Sequence, residues 1–223
     1  MQKVPKTTDL FDLSKTSAVK LFESTLYPWE VLCHISDFIK YLGNELDPGM
    51  YEKIGDCIWI AKDASVAPSA SISGPCIIES GAEIRHCAYI RGNALIGAGA
   101  VVGNSCEVKN SILFARVQVP HFNYVGDSIL GFASHMGAGA ITSNVKSDKS
   151  NITISTSGGR VETGLRKFGA VLGDFVEIGC NSVLNPGSVI GRHTIVYPLS
   201  RVRGVVPEHS IYKEAGNIVP KQQ

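Results

Sequence analysis

The 223-residue sequence has no apolar run approaching the roughly 18 residues of a transmembrane helix, and its N-terminus lacks the hydrophobic region of a signal peptide. The formal net charge is only +1, so nucleic acid and anionic membrane surfaces are not expected as partners. The six cysteines include no C-x-x-C pair and no metal-ligand spacing. These absences favour a cytoplasmic protein with reduced thiols and without a bound metal.

What the sequence does contain is an apolar residue at every sixth position. The series is Ile54, Ile60, Val66, Ile72, Ile78, Ile84, Ile90, Ile96, Val102, Val108 and Phe114, followed later by Leu172, Ile178, Leu184, Ile190, Val196 and Val202. A period of six is neither the 3.6 of a helix nor the two of a strand. It is typical of a hexapeptide β-helix, in which three hexads form a coil of about 18 residues and coils stack at roughly 4.8 Å. We therefore predict an all-β, parallel β-helix, whose handedness does not follow from the spacing.

The first fifty residues differ, because their apolar residues recur at mixed three- and four-residue spacing. We predict a helical leader at 1–50, with Pro28 in the first turn of its second helix and Gly43 near the end of that helix. We expect the leader to cap the open end of the β-helix, where strand edges would otherwise be unpaired. The β-helix domain is predicted at 51–207, and 208–223 is predicted to be a C-terminal tail.

The six-residue period is interrupted twice. After Phe114 the phase slips through residues 119–126, and a loop insertion at 144–167 abandons the hexad altogether. An interruption in a repeat protein needs a local reason, so these segments are the first places to look for function. The slip brings together His121, Asn123 and Tyr124, three polar or amphipathic side chains in a rigid frame.

From Arg91 to Asn144 the sequence resembles the acetyltransferase domain of the bifunctional UDP-N-acetylglucosamine pyrophosphorylase and glucosamine-1-phosphate N-acetyltransferase family. The resemblance extends over roughly 54–207 and is closest to the archaeal-type sugar-phosphate nucleotidylyltransferases, which share a stretch like 164–170. It implies a left-handed β-helix and a homotrimer with acetyl-CoA between adjacent prisms. It further implies an acyltransferase that acetylates an amino-sugar 1-phosphate in the UDP-N-acetylglucosamine pathway.

The resemblance also implies roles for individual residues. His121 matches the catalytic base that deprotonates the sugar 2-amino group, and imidazole suits this task because it titrates close to neutral pH. Arg91 and Lys109 match a phosphate-binding pair, and their cationic donors suit a phosphate dianion. Tyr124 and Asn144 match positions that hydrogen-bond the substrate sugar and phosphate.

Other positions concern the co-substrate or depart from the family pattern. Ala138 matches a position whose backbone N–H contacts acetyl-CoA, and Cys180 falls where the family has a serine beside the cofactor. His135 replaces a family asparagine at the substrate, a change that could shift the acceptor toward galactosamine 1-phosphate. A family lysine falls at Ser150, so the neighbouring Lys149 becomes the candidate for its contact. The acceptor and the acyl chain length do not follow from the sequence.

Three alternatives stay open at this stage. His121 could be a corner residue that bonds only to backbone. A metal-dependent hydratase similar to the gamma-type carbonic anhydrases would need a histidine pair five residues apart, and the sequence has none. A non-catalytic β-helix could instead use Trp29 and Phe38 of the leader to dock a separate nucleotidylyltransferase chain. Nucleotidylyltransferase activity in this chain itself is not expected, because the chain is too short for that domain.

Overall fold

The computed structural model describes residues 4–156 and 158–222, which form a parallel β-solenoid of about nine turns with three long sheets. In spatial order, sheet 1 contains Tyr51–Lys53, Ile58–Ala61, Cys76–Ile78, Ala94–Ile96, Ser111–Leu113, Ile129–Leu130, Ala170–Leu172, Ser188–Ile190 and Val205–Val206. Sheet 2 contains Ser71–Ser73, Tyr89–Arg91, Glu107–Lys109, Tyr124–Gly126, Ile141–Thr142, Val183–Leu184 and Arg201–Val202. Sheet 3 contains Ser65–Val66, Glu83–Ile84, Val101–Asn104, Gln118–His121, His135–Met136, Glu177–Ile178, Ile195–Val196, Ser210–Glu214 and Asn217–Pro220. The predicted parallel β-helix is thus confirmed, and its left-handedness stays a prediction.

The hexad correctly identifies most of the residues that fill the prism. Ile78 pairs with Ile96 and Leu172 pairs with Ile190 on neighbouring coils of sheet 1, and all four side chains are fully buried. The predicted place of Phe114 in this series is wrong, because Leu113, not Phe114, pairs with Ile96 and Leu130. The coil therefore shortens by one residue before Leu113, earlier in the chain than expected.

The N-terminal leader contains three short α-helices and 3-10 turns. The α-helices are Thr7–Leu10, Val19–Phe22 and Ile35–Glu45, and the 3-10 helices are Leu13–Lys15 and Pro28–Val31. Pro28 occupies the first turn of its helix, as predicted from its fixed φ and missing N–H. The longest helix continues two residues beyond Gly43 and packs there on Trp59, whose ring would lie 2.5 Å from a Cβ at Gly43.

The described part of the leader, residues 4–50, lies along sheet 1 and not over the end of the prism, so its expected position is corrected. Successive side chains of a strand point to opposite faces, so the residue before each inward one points out. On sheet 1 these outward residues are apolar and almost completely buried: Trp59, Ile77, Leu95, Ile112, Ile129, Val171 and Val189. The leader covers this apolar row, which explains why the sheet is buried on both faces.

Hydrogen bonds fix the leader along the length of the prism. Ala115 N donates to Lys15 O over 3.0 Å, and Asp174 N donates to Leu10 O over the same distance. The buried carboxylate of Asp174 accepts in return from Asp12 N at 2.7 Å, and burial raises the pKa of this carboxyl. These contacts join the leader to two coils of the prism that are separated by one coil.

Two further segments complete the chain. The insertion contains the antiparallel hairpin Thr153–Thr156 and Gly159–Glu162, in agreement with the predicted strands around a glycine turn. Residues 208–222, expected to be a tail, begin with a strand that continues sheet 3, since Ile211 pairs in parallel with Ile195. The last strand, Asn217–Pro220, turns back against it.

Candidate functional site

One corner of the prism, between sheets 3 and 2, aligns three of the residues singled out from the sequence. Gly139 N donates to His121 O at 3.0 Å, and Asn181 N donates to Ala138 O at 2.8 Å. Because these bonds join equivalent corner residues of successive coils, His121, Ala138 and Cys180 form one line along the prism axis. His121 and Cys180 are exposed, so this line faces solvent.

The buried amide of Asn123 holds the His121 corner in place. Asn123 is 2% exposed, and its Oδ1 accepts from His121 N at 3.0 Å. Its Nδ2 donates to Gly137 O at 2.8 Å and to Ala140 O at 3.0 Å, which ties the corner to the next coil. The Asn123 N–H donates to the sulfur of buried Cys106 at 3.3 Å. One side chain therefore fixes both the His121 corner and the corner that carries Ala138.

Close backbone packing explains why the strand before this corner keeps its position. A Cβ at Gly103 would lie 1.7 Å from Pro120 O, so only glycine permits this approach of the two coils. Pro120 has no N–H to donate, and the pairing resumes between His121 and Asn104.

The His121 imidazole forms no hydrogen bond with any residue in 4–156 or 158–222.

Replacing Asn123 with alanine should lower the free energy of unfolding by about 2 to 3 kcal/mol. The change leaves the N–H of His121 and the carbonyl of Ala140 without their Asn123 partner, and it removes one of the two donors to Gly137 O, which keeps Ala140 N. Each lost bond costs about 1 kcal/mol. Urea unfolding would measure the loss. The control is Asn217→Ala, since Asn217 is exposed and its removal should cost less than about 0.5 kcal/mol. Equally small losses in both variants would show that the corner keeps its shape without the amide.

Four of the five predicted substrate residues lie on or beside sheet 2, on successive coils. Tyr89 pairs with Glu107 and Glu107 pairs with Tyr124, so the outward side chains of these strands lie next to one another. Arg91 and Lys109 occupy the last position of their strands, and the Nδ2 of Asn144 donates to the Tyr124 hydroxyl at 3.2 Å. Burial raises the pKa of the Tyr124 phenol, which keeps its hydroxyl protonated and able to donate.

Two carboxylates that the sequence analysis missed accompany these residues. Arg91 Nη1 lies 2.6 Å from Glu107 Oε1, and this hydrogen bond raises the pKa of the guanidinium. Lys109 Nζ lies 3.4 Å from an oxygen of Asp127, which is 4% exposed and also accepts from Asn144. In the sequence, each of these acidic residues follows its basic partner by about one coil, and this spacing was the signal that could have revealed the two pairs. Both predicted phosphate-binding cations are therefore already paired with an anion.

The structure does not bring His135 and Lys149 to this group. His135 lies on sheet 3, where its Nδ1 is 2.8 Å from Glu177 Oε2, because it belongs to the strand that precedes the Ala138 corner. Lys149 is exposed in the turn after Asn144, with its N–H donating to Lys146 O at 3.0 Å. Their substrate and cofactor contacts stay predictions.

Two absences concern the described part of the chain. Nowhere in residues 4–156 and 158–222 do three histidine, cysteine, aspartate or glutamate side chains come together to hold a metal ion. The helices formed by these same residues are too short or too polar to cross a bilayer.

The fold and this pattern of corner residues define a hexapeptide-repeat β-helix protein. Residues 72–195, more than half of the chain, match the family model described as the GMPPB C-terminal domain. The chain belongs to that family.

Curated relatives confirm the resemblance noted from the sequence. The bifunctional protein GlmU of Methanococcus vannielii is 36% identical over 117 residues, which are 52% of this chain and 28% of that protein. A bifunctional sugar-1-phosphate nucleotidylyltransferase/acetyltransferase of Sulfurisphaera tokodaii is 36% identical over 92 residues, or 41% of this chain and 23% of that protein. The aligned segment spans about a quarter of those relatives, so their activities apply here only as a proposal.

Solved structures show more distant similarity. The acetyltransferase domain of PglB from Neisseria gonorrhoeae, in complex with acetyl coenzyme A, aligns with a TM-score of 0.34 at 16% identity, over 73% of this chain and 57% of that one. PerB from Caulobacter crescentus, in complex with CoA and GDP-perosamine, aligns with a TM-score of 0.26 at 20% identity, over 69% and 52% of the two chains.

Proposed function

We propose that this chain is an acetyl-CoA-dependent N-acetyltransferase that acts, as a homotrimer, on an amino-sugar 1-phosphate in the UDP-N-acetylglucosamine pathway. The observation that carries the proposal is the arrangement of two residue groups around one corner. His121, Ala138 and Cys180 follow the corner itself, and Arg91, Lys109, Tyr124 and Asn144 follow the adjacent sheet 2. A co-substrate along the corner would meet an acceptor on the sheet at His121.

In the proposed reaction His121 takes a proton from the 2-amino group of the sugar, and the nitrogen attacks the thioester carbonyl of acetyl-CoA. The new bond joins nitrogen to the acyl carbon, the carbon–sulfur bond breaks, and the coenzyme A thiolate takes up the proton that His121 had accepted, which restores the neutral imidazole. The backbone N–H of Ala138, which donates no hydrogen bond within the described residues, is available to the oxyanion of the tetrahedral intermediate. Cys180 is proposed only to line the cofactor path.

Arg91 and Lys109 are proposed to hold the sugar phosphate, and Tyr124 and Asn144 to hydrogen-bond the sugar and phosphate. Phosphate binding would require Arg91 to share or exchange its bond to Glu107, which is feasible because both side chains are about one-third or more exposed. In this proposal the ease with which these ion pairs rearrange selects the acceptor, and the assay below decides between glucosamine and galactosamine.

The rival non-catalytic function depended on an exposed aromatic surface of the leader. Trp29 is 2% exposed and stacks on Tyr27 with ring centroids 4.6 Å apart, and its ring centroid lies 5.8 Å from that of Phe168. Trp29 is therefore occupied by contacts within the chain, whereas Phe38, the other residue named for docking, is only partly buried. The two groups of residues around the His121 corner favour catalysis as the first function to test.

The direct test is release of coenzyme A, detected with a thiol reagent, during incubation with acetyl-CoA and one acceptor at a time. We expect turnover with either glucosamine 1-phosphate or galactosamine 1-phosphate and little with the corresponding free sugars, because the unphosphorylated sugars lack the group proposed to contact Arg91 and Lys109. Reactions without an acceptor provide the background of thioester hydrolysis. No turnover by folded, trimeric protein with any of these acceptors would contradict the proposed acceptor class.

A further inference from the structure

A second candidate binding region lies farther along sheet 2, between the insertion and the last coils of the prism. It is a cleft of about 360 Å³ whose lining includes Ser143, Lys146, Asp148, Asn185 and Arg203. Arg160, from the hairpin of the insertion, lines the adjoining part together with Lys146 and Arg203. We call this region the insertion cleft. None of its cations is used in the proposed acetyl transfer.

The wall of the insertion cleft is fixed by packing. Ile152 and Ile154 of the insertion are fully buried, which anchors the hairpin to the prism. Gly204 has φ of +76°, and a Cβ there would lie 2.6 Å from Ser155 O, so the hairpin approaches this coil as closely as only glycine permits. This packing holds the hairpin that carries Arg160 against the coil that carries Arg203, and both arginines line the same part of the cleft.

The charges of the insertion cleft differ from those around Tyr124. Lys146, Arg160 and Arg203 contribute three cations against the single carboxylate of Asp148. Within residues 4–156 and 158–222 neither arginine forms an ion pair, in contrast to Arg91 with its partner Glu107. Lys146 Nζ is held by Ser150 Oγ at 3.0 Å and Asn151 O at 2.9 Å. The unpaired guanidinium groups are therefore available to an anion.

The insertion cleft also adjoins the proposed acceptor site. Thr142 pairs with Leu184, and Leu184 pairs with Val202, so the residues that follow them lie on consecutive coils. Two coils at roughly 4.8 Å each separate Ser143 from Arg203, a distance of about 10 Å along the sheet. Asn144, which contacts Tyr124, directly follows Ser143. One extended ligand could thus reach from the acceptor site into the cleft.

We propose that the insertion cleft binds a diphosphate group, carried by a nucleotide-linked sugar or by coenzyme A. A diphosphate presents several anionic oxygens, and guanidinium groups match them with paired charge-assisted hydrogen bonds. Two arginines and the ammonium of Lys146 line one part of the cleft and provide this chemistry. The inference concerns binding alone, so it can be tested whether or not the chain proves to transfer acetyl groups.

The test measures the binding of inorganic pyrophosphate, UDP and coenzyme A, each separately, by isothermal titration calorimetry. The variant is Arg160→Gln with Arg203→Gln, which removes both guanidinium groups while keeping polar side chains of similar length. The matched control is Lys20→Gln with Lys62→Gln, which removes two exposed charges outside the cleft. We expect pyrophosphate to bind the wild type and the control equally and the arginine variant at least about tenfold more weakly.

The two larger ligands identify the source of the diphosphate. If the arginine variant binds UDP more weakly than the wild type but binds coenzyme A equally well, the cleft is assigned to a nucleotide-linked sugar. Weakening confined to coenzyme A would assign it to the co-substrate, and weakening of both would support a general diphosphate site. The proposal is overturned if the wild type binds no pyrophosphate at millimolar concentration, or if the arginine variant and the wild type bind it equally well.

Discussion

Replacing His121 with alanine is expected to lower kcat for acetyl transfer by about 10² to 10⁴-fold, the usual contribution of a positioned general base. Binding of acetyl-CoA should persist, because the proposed role of the imidazole concerns the acceptor amine. The fold should also persist, since the corner uses only the backbone of His121: its N–H donates to Asn123 and its carbonyl accepts from Gly139. The measurements are kcat from coenzyme A release and the Kd of acetyl-CoA from calorimetry.

The chain offers a matched control for this variant. His86 lies in the equivalent corner two coils earlier, where its carbonyl accepts from Ser105 N just as that of His121 accepts from Gly139 N. It is also exposed, so His86→Ala removes the same group from the same kind of corner. We expect the His86 variant to keep its activity. If both variants were equally active, His121 would not be the base.

Arg91→Ala serves as a second comparison, because it should affect a different constant. Loss of a phosphate contact made equally in the ground and transition states raises KM for the acceptor and leaves kcat nearly unchanged. His121→Ala should instead lower kcat and leave KM for the acceptor nearly unchanged. An effect of Arg91→Ala on acetyl-CoA alone would show that this side chain was assigned to the wrong ligand.

The sequence predicts the architecture well because the six-residue period reports directly which residues point into the prism. It fails at Phe114 because an apolar residue in a corner looks the same whether it faces the interior or another part of the chain. Leu113 and Phe114 are adjacent and both fully buried, one by the prism and the other by the leader. Only the tertiary position of the leader distinguishes them.

A signal for that position was present in the strands of sheet 1. Ile77 precedes Ile78 and Leu95 precedes Ile96, so these strands have adjacent aliphatic residues where a half-exposed strand would alternate with polar ones. Tyr89 and Arg91 on sheet 2 flank a single inward isoleucine instead. The comparison of the two patterns predicts which of the sheets is covered.

The basic residues of the candidate site could be predicted from the sequence, whereas its acidic residues could not. Arg91 and Lys109 were recognised by resemblance, whereas Glu107 and Asp127 have no motif and become relevant only through stacking of the coils. Asn123 was visible within the interruption, but its burial and its bonds to the next coil depend on the three-dimensional structure. The positions of partners one coil away follow from the register, which the one-residue shortening before Leu113 changes.

The contact between leader and prism centres on three aromatic rings, and replacing Phe114 with alanine should disrupt it. The Phe114 ring centroid lies 4.8 Å from that of Phe11 and 5.8 Å from that of Phe22, and the Phe114 side chain is fully buried. Removing a buried phenylalanine typically costs about 3 to 5 kcal/mol, through lost transfer energy and the cavity left behind. We expect a loss of this size in urea unfolding. The control is Phe122→Ala, because Phe122 is 63% exposed and has little burial to lose.

Limited proteolysis distinguishes detachment of the leader from general destabilisation of the prism. Phe114 is in a corner and points toward the leader, while Leu113 fills the interior beside Ile96, so the inward packing of this coil is unchanged in the variant. Cleavage should therefore increase first within the leader and leave the coils protected. Equal cleavage of both regions, or a stability loss no larger than that of Phe122→Ala, would show that this cluster does not anchor the leader. The leader is expected to be the weaker unit, because coils bond to coils on all three sheets, whereas the leader is attached by side-chain packing and a few hydrogen bonds.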